Sequence, residues 1–426
     1  MGGLTKNFTY PKKQNTTIVV YIAISMLYRL LLDYNYIKIV YPINSYDNFS
    51  LNPSDLFLSW TLLGVFILLS LSYIKTSHSF ISILVIFILF FKVIPFTSYI
   101  YCCNISFDVI LYETLYFCMI LICFKYIPAF ILPTPKYSPI IINTIAIVLI
   151  TVILLISSLY ARFRLHLNLM DVYDLREEAR GYDIPIILQY LHNAASKILP
   201  ILLIYYLEQK KRIMIIAITI AILLSFGVNG LKSTFLNLII CLLLYCFRNA
   251  PILKRIPLIF IMVIALGTME FWVFKTFWVD QLFVRRLLFM PTLIDTYYFD
   301  YIKEHGPLYF NSMVNDTDVS FIIGRAWRSA ACRANNGLFS DAFSNLGLAG
   351  IFIYPVFYAL FFKSFGRIID QKDFIIRFFA AFIIAYIMLS SFFTVTLLTH
   401  GIFLMCLAIM YMPNKFINTY QKNNER

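Results

Sequence analysis

Charge is scarce in this chain. Asp, Glu, Lys and Arg make up 13% of its 426 residues, about half of the roughly 25% usual in soluble domains. Glycine (14), tryptophan (4) and histidine (5) are also few. That excludes an ordinary soluble enzyme, which needs a charged surface. No Gly-rich phosphate loop, internal repeat or His/Cys/acid cluster at metal-ligand spacing is visible. What abounds is apolar: 61% of residues are hydrophobic, with 41 Phe and 30 Tyr, more than one core could hide. The bilayer is therefore the expected solvent. A formal charge of +13 then points to topology and anionic lipid before nucleic acid.

Apolar runs near the ~20 residues that span a bilayer occur twelve times, at about 17–36, 56–74, 79–98, 109–127, 140–160, 185–207, 213–228, 233–247, 257–274, 348–362, 375–394 and 396–412. The expected fold is all-α: a polytopic integral membrane protein of about twelve transmembrane helices, a single membrane domain over 1–426. The first run is too long for a signal peptide and has no small-residue cleavage site after it, so it is expected to stay in the protein. Lys6, Lys12 and Lys13 should hold the N-terminus in the cytoplasm. Every even-numbered connection then faces inward, and these are basic: Lys75, Lys125, Lys136, Lys210, Lys211, Arg212, Arg248, Lys254, Arg255, Lys363, Arg367, Lys372 and Arg377. An even number of spans returns the basic tail (Lys415, Lys422, Arg426) to the same side.

Two outer connections are long, 161–184 and 275–347, and each is expected to contain short helices. Nine arginines fall outside: Arg162, Arg164, Arg176, Arg180, Arg285, Arg286, Arg325, Arg328 and Arg333. Topology alone does not ask for that. The planar guanidinium fork matches phosphate or carboxylate oxygens and keeps its charge, so the loops look built for an anion. Asp171 to Gly181 reads as a short helix with Asp171 as N-cap and Gly181 as its stop; it places Tyr173, Arg176 and Arg180 on one face. A self-neutralising helix lying at the interface is the alternative. Arg285 and Arg286 could likewise snorkel from an interfacial helix over 287–291, and Arg325, Arg328 and Cys332 share a stripe if 324–333 is helical. Lys232 stands in the tight outer turn 227–233, where snorkelling is also open. Within the spans, Arg29, Glu113 and Glu270 need partners or helix ends, while Lys92, followed by Pro95, can snorkel outward. Cys102, Cys103 and Cys332 are expected outside, where a disulfide could form. The loop aromatics Trp272, Trp278, Tyr297, Tyr298, Tyr301, Tyr309 and Trp327 read as an interfacial belt or as sugar-stacking platforms. Gly347 and Gly350 are expected to permit close helix packing.

Four features resemble one family. They are the many-span layout with two arginine-bearing outer loops, the stretch Asp171-Val-Tyr-Asp-Leu-Arg176, the stretch Arg286-Leu-Leu-Phe-Met-Pro291 running to Tyr297-Tyr-Phe-Asp300, and Asn336 to Gly350 leading into a span. Together with Lys232-Ser233 they are similar to the Wzy-type O-antigen polymerases, or oligosaccharide repeat-unit polymerases, and more distantly to the O-antigen ligases. The resemblance implies a glycosyltransfer at the periplasmic face of the bacterial inner membrane, with both termini cytoplasmic. The growing glycan leaves one undecaprenyl diphosphate carrier and joins a repeat unit on another. Lipid-linked oligosaccharides, membrane lipids and a chain-length regulator protein are the implied partners.

For such a reaction, fixed cations would stabilise the departing diphosphate. Arg176, Arg180, Lys232, Arg285, Arg286, Arg325, Arg328 and Arg333 are the candidates, with Arg176, Arg180, Arg286 and Arg328 expected to converge. The acceptor hydroxyl needs a base within reach: Glu177, Glu178, His305 or Asp341, although Asp341 also suits a helix cap or first turn. No cofactor is expected. Asp316 and Asp318 are the nearest approach to a metal-binding pair, and a turn explains them as well. The rivals are an O-antigen ligase and a polysaccharide flippase or other transporter. The latter should show paired broken spans and repeat symmetry.

Overall fold

In hydrocarbon every backbone N–H and C=O must be satisfied within its own segment, so the apolar runs fold as helices. The structure, a computed structural model, describes residues 11–75, 79–164, 172–248, 252–314, 316–328 and 332–415. Among these, nine helices are long and apolar enough to cross a membrane: Ile18–Asp47, Leu56–Ile74, Phe80–Cys102, Phe107–Tyr126, Pro139–Tyr160, Ile186–Glu208, Arg212–Asn229, Arg255–Phe274 and Leu348–Ile369. The eighth and eleventh runs form the shorter apolar helices Lys232–Cys246 and Phe374–Ser390. The twelfth is broken into Phe393–Leu397 and Ile402–Met410. A left-handed Gly401 (φ 71°) interrupts it, and extended backbone at Ser391 and Phe392 ends the helix of the eleventh run. The chain is thus an all-α polytopic protein, with twelve apolar runs but, among the described residues, nine helices long enough to span.

Two compact units share these helices. The first comprises Met1–His78, Val85–Ile127 and Leu253–Phe357; the second comprises Ser79–Leu84, Pro128–Ile252 and Tyr358–Arg426.

The first unit contains three π-helical stretches, Tyr36–Val40, Leu89–Val93 and Asp280–Phe289. Each ends two residues before a proline: Pro42, Pro95 and Pro291. Proline lacks an N–H and its ring crowds the carbonyl four residues earlier. Widening the preceding turn solves this, because the residue just before each proline donates to the carbonyl five back: Tyr41 to Tyr36, Ile94 to Leu89 and Met290 to Arg285. The helices therefore continue through their prolines. The 280–289 stretch packs on both of the others, and the Tyr36 ring meets Phe289 edge-on at 4.8 Å. Pro291 also corrects the expectation of a separate short helix over 287–291, since Arg285 and Arg286 lie inside a helical rod that runs on to His305.

The rest of the 275–347 segment folds over one end of this unit. Lys303 pairs with Asp108 at 2.7 Å at the start of Phe107–Tyr126, and Phe343 stacks on Phe299 with centroids 4.9 Å apart. Helix Phe339–Leu346 lies so close to the next helix that a Cβ on Gly350 would sit 1.9 Å from the Ala342 carbonyl oxygen, as its glycine led us to expect. In the second unit, Ile186–Glu208 is central and packs against 139–160, 212–229, 232–246, 374–390 and 402–410. The short helix Val172–Arg180 forms there and stops at Gly181. Its expected N-cap, Asp171, lies outside the described residues.

Candidate functional site

The end of the first unit is organised by a carboxylate that sequence reasoning passed over. Asp47 closes the first helix and its side chain is 1% exposed. Arg285 donates to its Oδ2, and Arg328 Nη2 lies 2.6 Å from its Oδ1. The surrounding contacts fix both arginines. Trp327 Nε1 donates to the Asp47 carbonyl at 2.9 Å, Asn48 donates to the Trp327 carbonyl, and the Arg328 guanidinium covers the Trp327 ring at 4.2 Å. Gln281, one turn before Arg285, donates to Asn44 Oδ1 at 2.6 Å. Burial holds Arg285 below its ordinary pKa; Asp47 opposes that, while the neighbouring charges of Arg328 and Arg286 add to it. Two guanidiniums therefore share a single carboxylate, and Arg286, next to Arg285, adds its charge to theirs. Arg286 is exposed and Arg328 about one-third exposed, so the surplus positive charge faces outward. Arg325 is exposed on the same short helix, Val319–Arg328. Arg333 lies over Phe321 at 4.7 Å and 3.9 Å from Asp318.

Beneath this surface, the rod carrying Arg285 and Arg286 is pinned by buried polar groups. Asp280 accepts from Asn35 at 2.6 Å. Burial raises its pKa to about 6, with Asn35 opposing and Glu270 adding to the rise. Further along, Asp295 accepts from Lys92, from Ser340 and, at 2.9 Å, from Asn336. Lys92 also lies 3.0 Å from Glu113 and donates to Thr292 at 2.9 Å. The expectation that Lys92 snorkels is corrected: its side chain is 2% exposed, and two carboxylates hold it inside. Arg29 is likewise internal, paired with Asp33 at 2.8 Å.

The candidate bases differ in environment. Asp341 occupies the first turn of Phe339–Leu346 and is buried. Its Oδ1 accepts from Asn345 at 2.7 Å and from Tyr354 at 3.0 Å. His305 is exposed and stacks on Tyr301 with centroids 4.2 Å apart. Asp318 caps the helix at Ser320 N (2.9 Å), and Asp316 turns the two-residue hairpin with φ 58°, so both fit the turn reading. Among the described residues no three His, Cys, Asp or Glu side chains gather as a metal-ligand group. The cysteines are free: Cys103 meets the Tyr36 hydroxyl at 2.9 Å, and Cys332 points to the Gly324 carbonyl.

The remaining predicted cations belong to the second unit. Arg176 Nε donates to the Gly230 carbonyl at 3.2 Å, capping the C-terminal end of Arg212–Asn229, where a cation complements the helix dipole. Lys232, two residues on, is half-buried. Arg180 and Glu177 are exposed. Glu178 is engaged by Arg164 at 2.5 Å and by Tyr182 at 2.8 Å, and these bonds, Arg164 first, hold its carboxyl below the usual range. Of the four arginines expected to converge, Arg286 and Arg328 thus lie in the first unit and Arg176 and Arg180 in the second. Asp47 carried no sequence signal beyond its flanking asparagines, Asn44 and Asn48, and its role follows only from the partners that reach it. The chain matches no protein-family model, no curated protein and no solved structure.

Proposed function

We propose that the protein is a membrane glycosyltransferase of the repeat-unit polymerase type. In this reading it joins undecaprenyl-diphosphate-linked oligosaccharides at the periplasmic face of a bacterial inner membrane, with both termini cytoplasmic. The observation that carries it is the Asp47-centred cluster. Arg285 and Arg328 come from distant parts of one long loop, yet they share one carboxylate, and with Arg286 they keep a positive excess at the surface. Such an arrangement suits a leaving diphosphate: the donors are held before charge develops, so little reorganisation is needed as the sugar–phosphate bond breaks. Asp47 itself is consumed in positioning. His305, exposed and in the same unit, is then the more accessible candidate for accepting the proton of the attacking hydroxyl, and Asp341 is the shielded one. A chain-length regulator and the surrounding lipids are the proposed partners. An O-antigen ligase would use the same donor chemistry with a different acceptor.

A transporter is the second reading, and a specific observation favours it. Buried ionic groups inside spans, such as Lys92 with Glu113 and Asp295, are frequent in ion and proton pathways. Polysaccharide analysis separates the readings. Deleting the gene should leave single repeat units on lipopolysaccharide for a polymerase, none for a ligase or a flippase, and complementation should restore the long ladder. A deletion strain with an unchanged ladder would remove the polymerase proposal.

A further inference from the structure

Three ionisable side chains are enclosed together in the first unit. Lys92 comes from Phe80–Cys102, Glu113 from Phe107–Tyr126 and Asp295 from Met290–His305, with side chains 2%, 0% and 0% exposed. One cation thus meets two carboxyls. Their hydrogen bonds are unequally shared. Asp295 accepts from Lys92, from Ser340 and, at 2.9 Å, from Asn336. Glu113 has Lys92 3.0 Å from its Oε1 and, among the described residues, no donor on its Oε2. Yet the two carboxyl groups lie within hydrogen-bonding reach of each other. Lys92 also donates to Thr292 at 2.9 Å. Tyr298, a buried titratable neighbour of Asp295, donates its hydroxyl proton to the Ala334 carbonyl at 3.0 Å.

If both carboxyls were ionised, the cluster would hold a net negative charge away from solvent, and two groups that only accept would face each other. One proton removes both costs. Carboxyls that share a site resolve the conflict in this way, because two like charges so close cannot both form. Hydrogen bonds to the charged form favour it, so Asp295, with more donors, is the anion and Glu113 the acid. Lys92 and Asp295 then balance, and Glu113 spends its proton on Asp295, whose two oxygens offer about four acceptor positions for the four donors. The choice has a structural consequence. Asn336 and Ser340 belong to the segment that enters Phe339–Leu346, and a hydrogen bond to an ionised carboxylate is roughly twice as strong as one to a neutral group. Where the proton rests therefore decides how firmly that segment is held.

We propose that Glu113 and Asp295 form a proton-binding site, in which Glu113 keeps the proton and donates it in a hydrogen bond to Asp295 while Lys92 supplies the counter-charge. The bound proton leaves Asp295 ionised, as the charged anchor of the 336–346 segment. The site stands independently of the glycosyltransferase reading, which uses other residues. Infrared spectroscopy of the full-length protein tests it, in a maltoside detergent that has no carbonyl group of its own. Wild type at neutral pH should show a carboxylic-acid carbonyl band that is absent from Glu113→Gln. Hydrogen exchange then shows which carboxyl carries the proton. Glutamine reproduces the neutral acid and its donated hydrogen bond, so exchange of the 336–346 amides in Glu113→Gln should stay close to wild type. Asp295→Asn moves the negative charge to Glu113 and weakens the anchor, so the same amides should exchange about tenfold faster or more. If Glu113→Gln removes no acid band, the site holds no proton and the proposal fails. If Glu113→Gln loosens the segment and Asp295→Asn does not, the acid is Asp295 and the assignment is overturned. A Glu113→Gln protein that does not fold also counts against it, because the substitution leaves the proposed charge balance intact.

Discussion

Replacing Asp47 by asparagine keeps the side chain's volume and one carboxamide oxygen while removing the charge that Arg285 and Arg328 share. Arg285, 13% exposed, would be left near Arg286 and Arg328 with no anion, and an amide N–H would replace one of the two acceptor oxygens. Breaking a buried pair by removing one partner costs about 3–5 kcal/mol. The Arg328 contact adds little, because that side chain is 32% exposed and exposed pairs are worth roughly 0–1 kcal/mol. The loss should fall on local docking rather than on the whole fold, since the spans beneath keep their own contacts. Helix Val319–Arg328 keeps its Trp327 bond to the Asp47 backbone carbonyl, whereas the 280–289 stretch is tied to Asp47 through Arg285, so its amides report that docking. At about 1.4 kcal/mol per tenfold, their hydrogen exchange should accelerate by roughly 10²–10³-fold, while exchange in Phe80–Cys102 stays as in wild type. Long-chain polysaccharide should fall in parallel. If exchange in 280–289 stays within about threefold of wild type in Asp47→Asn, the carboxylate does not organise this end of the protein and the proposed site loses its foundation.

Lys92→Met alone should reduce folded yield and thermal stability, by about 3–5 kcal/mol, because it strands Asp295 and Glu113 inside; adding Asp295→Asn and Glu113→Gln should recover most of the loss, and a triple variant no better than the single one refutes the pairing. Asp280, with its pKa raised to about 6 above an unfolded value of about 3.9, contributes stability that is full below about pH 4 and is lost as pH rises through about 6. Asp280→Asn should therefore remove the decline in unfolding midpoint between those values and raise stability at pH 7 by about 3 kcal/mol; a variant with an unchanged pH profile excludes Asp280 as its source. Arg285→Lys, Arg286→Lys and Arg328→Lys should impair long-chain polysaccharide despite keeping charge, because lysine lacks the fork; three normal ladders would overturn that requirement. Purified protein should polymerise lipid-linked repeat units equally in excess chelator, and activity restored only by magnesium or manganese would direct attention to Asp316 and Asp318. Alkaline phosphatase fused near Asn315 should be active and a fluorescent protein fused at Arg426 should fluoresce; the reverse pattern inverts the topology and removes the site.

Composition and run length alone determined that the chain is a helical membrane protein, because the bilayer imposes one requirement on every residue of a span and leaves a one-dimensional trace. Local chemistry was legible for the same reason: Gly181 stops a helix, Gly350 admits a neighbouring backbone, and the outer arginines stand apart by residue type. The three π-helical stretches were half legible, since Pro42, Pro95 and Pro291 were visible but could equally have ended their helices. Packing between the 280–289 stretch and the other two accompanies the continuous solution. Charge pairing was not legible. Asp47 meets Arg285 across 238 positions and Lys92 meets Asp295 across 203, and an ion pair carries no periodicity that marks its partner. Lys92 could snorkel by its position, yet the tertiary fold brought Asp295 and Glu113 to it and made the interior the better place for its charge. The break at Gly401 was hidden in an apolar run of acceptable composition, because the neighbour that leaves no room for a Cβ there, Ala194, is brought up only by the tertiary fold.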